Sequence, residues 1–289
     1  MMTIKNLLIY TLCLMAWNKV AAQKSETVIA RVYYTYTNQT DTLSPGKTRK
    51  ENMVLFLGKN TSLYSSLDKI KHEIADEQKF KAQLMANAGN GRPTAFVIDD
   101  RDSRWMNTTT YLYFVKENKW YTKEFIALQA YLTEETPPAI SWNISKDTLT
   151  ISGIKCRKAT ATFKDKKWIA WFTETLAFPG GPGQLYGLPG LIIDAQDEQG
   201  GVHYAFAGLE NAQAGDHIRL EDITKQPGVS KTTYNPIDQL IGREVGNAYF
   251  ENIIRLPPGA ILISRAQLEK LKTAYKKDPV GFTKTRSGY

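Results

Sequence analysis

The sequence predicts an α+β protein, mainly antiparallel β. A curved meander or half-barrel-like sheet carries one helix after the first strands and further helices at the C-terminal end. Three observations predict it. Short segments alternate apolar and polar residues with a period of two, and turn signals separate them. Helical spacing occurs only near residues 65–89 and again beyond residue 235. The 289 residues include 6 Trp, 15 Tyr and 11 Phe, and aromatic side chains favour the pleated surface of a sheet.

The first strand lies within Gln23 to Gln39, with Val28, Ala30, Val32, Tyr34 and Tyr36 on one face and Arg31, Thr35 and Thr37 on the other. Glu51 to Gly58 and Thr61 to Ser65 read as two strands around Lys59-Asn60. A helix follows. Ser65 and Asp68 have capping-box spacing, Leu67, Ile70, Ile74, Leu84, Met85 and Ala88 form an apolar stripe, and Gly89 and Gly91 end it. Thr109 to Val115 then pairs with Lys119 to Ala127 across Glu117-Asn118. Ile140 to Ile144 and Thr148 to Ile151 flank Lys146-Asp147; Lys155 to Phe163 and Trp168 to Thr175 flank Lys164 to Lys167. Gly190 to Ala195 and Val202 to Leu209 flank a turn at Gly200-Gly201. Repeated hairpins of this kind make an antiparallel meander, not a parallel βαβ sheet.

Weak patterning from about Gly215 to Thr233 reads as a loop. Asn235-Pro236 then opens a helix carrying Ile237, Leu240, Ile241, Val245, Ala248, Tyr249 and Ile253. Gly242 and Gly246 weaken it by about 1 kcal/mol each. Ser264 and Gln267 cap a last helix with Leu268, Leu271 and Tyr275, and Asp278-Pro279 stops it.

Residues 1–22 read as a secretory leader: Lys5 supplies the positive end, Leu7 to Trp17 the apolar run, and Val20-Ala21-Ala22 the small residues before a cut ahead of Gln23. The apolar run is shorter than the ~20 residues a bilayer span needs, and no later segment is apolar enough to span. Leu12 precedes Cys13 where a lipidation signal needs a small residue, so Cys13 leaves with the leader. Residues 23–289 then form one β-rich domain with a lone thiol, Cys156. One thiol makes no internal disulfide, so the core must hold the fold. The formal net charge is +8, with Lys and Arg dispersed along the chain. An exported protein without a basic cluster is not expected to bind nucleic acid. Its positive surface suits anionic envelope lipids or glycans.

The most distinctive stretch is Ala177 to Ala195. Pro179, Gly180, Gly181, Pro182 and Gly183 form a shaped loop. Next come Gly187, Leu188, Pro189, Gly190, Leu191 and Ile192, where Pro189 and Gly190 suit the two central positions of a type II turn. These six residues spell the motif of the GLPGLI family, exported Bacteroidetes proteins of undefined function, and the chain resembles that family beyond the hexapeptide. Ile140-Ser141-Trp142, Gly153 to Ala159, Ala170 to Thr173 and Gly181 to Gly183 carry the resemblance, over roughly Asn52 to Ala212. The resemblance implies an exported, curved antiparallel sheet. Such a sheet is similar to the half-barrels of periplasmic lipoprotein carriers and to the bowl-shaped N-terminal domain of one bacterial peptide N-glycanase type.

No reactive centre is legible. His72 sits on a helix among charges, His203 in a strand and His217 in a loop, without HExxH or CxxC spacing, so no metal or cofactor is expected. Asp99-Asp100-Arg101-Asp102 begins like a calcium loop but lacks its Gly and terminal Glu. Cys156 has no neighbouring base in sequence and fits a small apolar strand residue. Glu174 and Asp194 flank the glycine-rich loop, and carboxylates held about 5–9 Å apart hydrolyse glycosides. Trp168, Trp171, Phe178 and Tyr186 crowd the same loop and either fill the core or line a ligand surface. The expectation is an exported envelope protein that binds or organises a partner (an envelope protein, a lipid or a glycan) without catalysis. A periplasmic carrier of an amphiphile and a hydrolase using Glu174 and Asp194 are the alternatives.

Overall fold

The computed structural model describes residues 25–39, 48–73, 75, 107–127, 129–176, 178, 180–212, 248, 252–257 and 259–287. In chain order its strands are β1 (Glu26–Thr27), β2 (Ala30–Asn38), β3 (Arg49–Leu57), β4 (Thr61–Ser66), β5 (Thr110–Phe114), β6 (Lys119–Ile126) and β7 (Gln129–Glu135). There follow β8 (Asn143–Ile151), β9 (Ile154–Phe163), β10 (Lys166–Thr173), β11 (Leu191–Asp197), β12 (Val202–Asn211), β13 (Ile253–Ile254) and β14 (Ile261–Leu262). Helix α1 covers residues 67–73. Helices α2 (Arg265–Lys277) and α3 (Pro279–Ser287) lie at the C-terminal end.

Twelve strands form one open sheet in the order β14-β7-β6-β5-β4-β3-β2-β12-β11-β10-β9-β8, antiparallel except for the parallel pair β14–β7. The protein is thus α+β and mainly antiparallel, as the sequence predicts. Two meanders build the sheet. The first runs from β2 to β7 and the second from β8 to β12; the ladder of β2 against β12, Ala30 to Asn38 against Asn211 to Val202, joins them. Residues 136–142 connect β7 to β8, which lie ten strands apart. Ten flat steps of ~4.8 Å would separate them by ~48 Å. The connector reaches only ~28 Å when fully extended. The sheet must therefore bend until its two meanders face one another.

Packing follows from that bend. On one face of the first meander, Val54, Phe56, Leu63, Leu112, Phe114, Tyr121 and Leu132 are buried beneath Leu67 and Ile70 of α1 and Ile254 of β13. The other face is filled from within: Val32, Tyr34, Met53, Leu55, Leu57 and Tyr64 share a cluster with Cys156, Leu191 and Ile193 of the second meander. Tyr36 and Tyr204 pack against this cluster and also against the next, which holds Trp168, Ala170, Phe172, Leu185, Leu188 and Ile192. Every residue of β4 is buried, as befits a strand covered on both faces.

The glycine-rich segment closes a gap in the sheet. Strand β11 pairs with β12 only at Ala195–Tyr204 and Gln196–His203. Where the strands diverge, Ile192 N–H donates to Gly180 O at 2.9 Å, and Ile192 O accepts from the Tyr34 hydroxyl at 2.7 Å. A buried peptide group needs such partners, so the loop and Tyr34 stand in for β12. The loop lies so close that a Cβ on Gly181 would fall 2.8 Å from Ile192 Cβ and 2.6 Å from Leu185 O.

The structure corrects several local expectations. Residues 143–151 are one strand with a register shift between Ile144 and Thr148, not two strands around Lys146-Asp147, and β7 has no counterpart in the sequence reading. The cap of α1 is Ser66, whose Oγ accepts from Lys69 N–H; Asp68 instead binds Asn52. The rest of that expected helix, from Ile74 to Ala88, and the helix opening at Pro236 fall almost wholly outside the described residues, as do residues 1–24. The capping box of Ser264 and Gln267 forms on α2. Asp278 ends α2 and also starts α3, accepting from Gly281 N–H. The expected type II turn is replaced by a three-residue turn, in which Gly190 N–H donates to Leu188 O at 2.7 Å around Pro189. Gly187 takes the left-handed conformation, with φ 93°. Gly190, with φ 159°, is required by space as well: a Cβ there would lie 2.0 Å from Thr173 O.

Gly187 carries a conformational demand alone, and Gly190 adds a steric one. Gly190→Ala should cost about 3 kcal/mol, the top of the usual overpacking range. Gly187→Ala, with nothing within 4 Å of a new Cβ, should cost only the ~1–2 kcal/mol of left-handed backbone. Urea unfolding midpoints of the two variants measure the difference.

Candidate functional site

Strand alternation and register build a cleft on the inner face of the first meander. Along β4 and β5, Ser62 and Tyr64, and Tyr111 and Tyr113, fall on one face because they are two residues apart. Register aligns them into two cross-strand rows. Leu55, Tyr64 and Tyr111 are neighbours on β3, β4 and β5; Ser62, Tyr113 and Trp120 are neighbours on β4, β5 and β6. The glycine-rich loop supplies the opposite wall with Gly180, Gly181, Gly183, Leu185 and Tyr186, around a space of about 10 Å³, room for one water. Trp142 from the β7–β8 connector fixes that wall, donating its indole N–H to Tyr186 O at 2.8 Å.

The rings form a continuous surface. Tyr186 meets Tyr113 edge-on at 5.2 Å and Trp120 at 5.6 Å, Trp120 lies 5.7 Å from Tyr111, and Tyr111 stacks 6.5 Å from Tyr64. Two of these rings carry polar atoms that their surroundings do not satisfy. The Tyr64 hydroxyl and the Trp120 indole nitrogen are buried without a hydrogen-bond partner, and so is Thr122 Oγ1, next to Tyr111 in the ladder. Each such group costs about 1–3 kcal/mol. Burial pushes the Tyr64 phenol well above its ordinary value and those of Tyr111 and Tyr186 up to about 12. All three stay protonated and able to donate at neutral pH.

Charge gathers beside the cleft. Glu135 of β7 is the ladder neighbour of Trp120. It accepts from Arg265 Nε at 2.7 Å, and Arg265 also reaches Glu124 at 2.9 Å, so α2 holds both carboxylates in place.

The four aromatic residues singled out in the sequence separate here. Tyr186 lines the cleft. Trp168 is buried, stacked on Tyr204 at 6.1 Å, and donates to Phe163 O. Phe178 is buried in the core with the Gly180 backbone against its ring, and Trp171 packs half-buried beside the same cluster. Glu174 pairs with Arg157 at 2.8 Å, whereas Asp194 pairs with His203 at 3.0 Å. Asp194 lies opposite Trp171 in the ladder, and Glu174 follows the Thr173–Leu191 pair three residues further on. The two carboxylates are therefore not brought together. Cys156 is fully buried, and burial raises its thiol pKa, which disfavours the nucleophilic thiolate. Asp99 to Asp102 and His217 lie outside the described residues, and His72 is on α1. Among the described residues no three His, Cys, Asp or Glu side chains could hold a metal, and no helix is long and apolar enough to cross a membrane.

The sequence reading missed Tyr64, Tyr111, Tyr113 and Trp120. Their signal was present: Tyr111 and Tyr113 share a face, and a hairpin through residues 115–118 sets Trp120 opposite Tyr113.

Two measurements check these environments. Tyr64→Phe removes a buried hydroxyl without a partner and should raise stability by about 1–3 kcal/mol in urea unfolding. Hydrogen bonding to Asp194 raises the His203 pKa above its ordinary 6.5. The stabilisation from that pair is complete below about pH 6.5 and is lost as pH rises through the folded-state value. In an NMR titration, His203 should titrate above 6.5 and move downward in Asp194→Asn.

No family model matches the chain, and no curated protein matches it. Among solved structures it is similar to PNGF-II. The P21 crystal form aligns over 65% of this chain and 29% of that one, at 15% identity and a TM-score of 0.45. The C2 form aligns over 84% and 32%, at 11% identity and a TM-score of 0.49. The chain thus spans about a third of the length of those proteins, and no residue role is carried over from so distant a likeness.

Proposed function

We propose that this chain is an exported binding or scaffold protein of the cell envelope, of the GLPGLI type, which engages a partner and does not transform it. One observation carries the reading against hydrolysis: the two carboxylates that flank the glycine-rich loop are held apart, Glu174 by Arg157 and Asp194 by His203. The leader-like residues from Lys5 to Ala22 support export, and the hexapeptide with its flanking blocks supports the family.

The geometry favours binding over the alternatives. A carrier would need a pocket of the ~300–1,000 Å³ that enclose drug-sized ligands, and the space among Tyr64, Tyr111, Tyr113, Trp120 and Tyr186 is about 10 Å³. A hydrolase would need converging carboxylates, and Glu174 and Asp194 each have a separate cation.

Native mass spectrometry of the mature chain purified from its own host is the direct test. A protein, lipid or glycan should co-purify and be recovered unchanged after prolonged incubation. No bound species, or consumption of the bound one, overturns the reading.

A further inference from the structure

We infer that the outward side of α2 and its junction with α3 dock on an anionic lipid bilayer, with Lys270, Lys276 and Lys277 among the headgroup phosphates and Val280 at the boundary of the acyl chains. The inference rests on the proposed binding function and names the partner.

Charge singles out this part of the chain. Residues 265–289 hold seven Lys and Arg against two Asp and Glu. Strands β8 to β10 have a similar excess, but there Arg157, Lys158, Lys166 and Lys167 each face a carboxylate. On α2 the cations divide by position. Arg265 and Lys272 turn toward the sheet and pair with Glu124, on the side where Leu268 is buried with Ile126 and Tyr131. Opposite Leu268, by the repeat of 3.6 residues per turn, lie Ala266, Lys270, Thr273 and Lys277, all exposed. That side bears no carboxylate. Of the two acids in the segment, Glu269 pairs with Lys272 at 3.3 Å and Asp278 accepts from Gly281 N–H. Lys270, Lys276 and Lys277 are exposed and have no carboxylate partner among the described residues.

An apolar feature stands beside this charge. Val280 is 66% exposed, the most of any large apolar side chain among the described residues, and the exposed Pro279 precedes it. Phe282 packs on Tyr275 at 5.5 Å, which fixes α3 against α2 while Val280 stays outside. An exposed aliphatic side chain next to two lysines matches a bilayer surface, where phosphates overlie hydrocarbon. A soluble polyanion would offer Val280 nothing. Lys270 and Lys277 lie ~10 Å apart along the helix axis, with the small residues Thr273 and Ala274 between them. Charges so spaced on a smooth side fit a plane better than one small anion, and lysine stems reach phosphate over an apolar surface. Lys276 and Lys277 also complement the helix dipole; Lys270, in mid-helix, and Val280 have no such role.

The test is co-sedimentation of the full mature chain with vesicles of phosphatidylcholine alone, or of phosphatidylcholine and phosphatidylglycerol in equal parts. The chain should bind the anionic vesicles only. Binding should weaken steeply between 0.1 M and 1 M salt, as the screening length falls from ~10 Å to ~3 Å. Replacing Lys270, Lys276 and Lys277 together by Gln should weaken binding about hundredfold, about fivefold for each charge. Val280→Ser should weaken it about tenfold. All four positions are exposed, so both variants should keep the melting temperature of the parent. Lys59, Lys146 and Lys155, exposed on other parts of the sheet, replaced together by Gln, give the same change in net charge and should leave binding within a few-fold. Equal losses in the two triple variants mean diffuse attraction and overturn the assignment to α2. Binding to dextran sulfate but to neither vesicle also overturns it. If no vesicle binds while native mass spectrometry still finds a co-purified protein or glycan, the membrane assignment falls and the binding function stands.

Discussion

The pairing of β2 with β12 is the contact on which the rest of the structure depends. It joins residues near 30–38 to residues near 202–211, and it turns two separate meanders into one sheet. Local contacts alone would give each meander a free edge and an uncovered apolar face. Once β2 and β12 pair, the short β7–β8 connector cannot reach across a flat sheet, so the sheet bends. The bend brings Cys156, Leu191 and Ile193 against Met53, Leu55 and Tyr64 and dries the inner face. Closing so long a loop costs chain entropy before any contact compensates it. The extent of this ladder, from Asn38–Val202 to Ala30–Asn211, is what offsets that cost.

The bend also explains the glycine-rich segment. A strongly curved sheet cannot keep every ladder intact, and here the ladder between β11 and β12 fails after two residue pairs. The loop occupies the space left between them. Its hydrogen bond from Ile192 to Gly180 and the Tyr34 hydroxyl restore what the missing strand would have supplied. The same loop turns its other side to the cleft and presents Tyr186, whose carbonyl is held by Trp142. Gly180, Gly181 and Gly190 answer the architectural demand, since each lets backbone lie where a side chain would collide.

The cleft is where local energetics and fold stability disagree. The core elsewhere follows ordinary rules: Trp168 finds Phe163 O, and Tyr34 finds Ile192 O. Tyr64 and Trp120 do not find partners, although both are buried. Apolar replacements would pack as well and cost less. The space beside them has room for one water, the partner that buried polar atoms ordinarily take.

Much of the architecture was legible from the chain alone, because period-2 alternation is a local signal. The alternation from Val32 to Tyr36 gives β2 and its inward face, and the turn residues between Phe163 and Trp168 give the β9–β10 hairpin. Ser264 and Gln267 give the start of α2, since a capping box is complete within four residues. Where spacing misled, a distant contact had intervened. Gly190 has turn chemistry but meets Thr173 O, and residues 143–151 continue as one strand because β9 pairs with both Asn143–Ile144 and Thr148–Ile151 across a register shift. The cleft was the least legible feature. Trp168 and Phe178 look, in sequence, as suited to a ligand as Tyr186, and Tyr64 carries no local sign that its hydroxyl lacks a partner. Composition and alternation determined the fold class, the strand faces and the caps, which depend on neighbours in the chain. Tertiary structure alone decided which aromatic rings became core and which became cleft. That depends on which strands the β2–β12 ladder and the bend bring opposite one another, and neither is recorded in any local pattern.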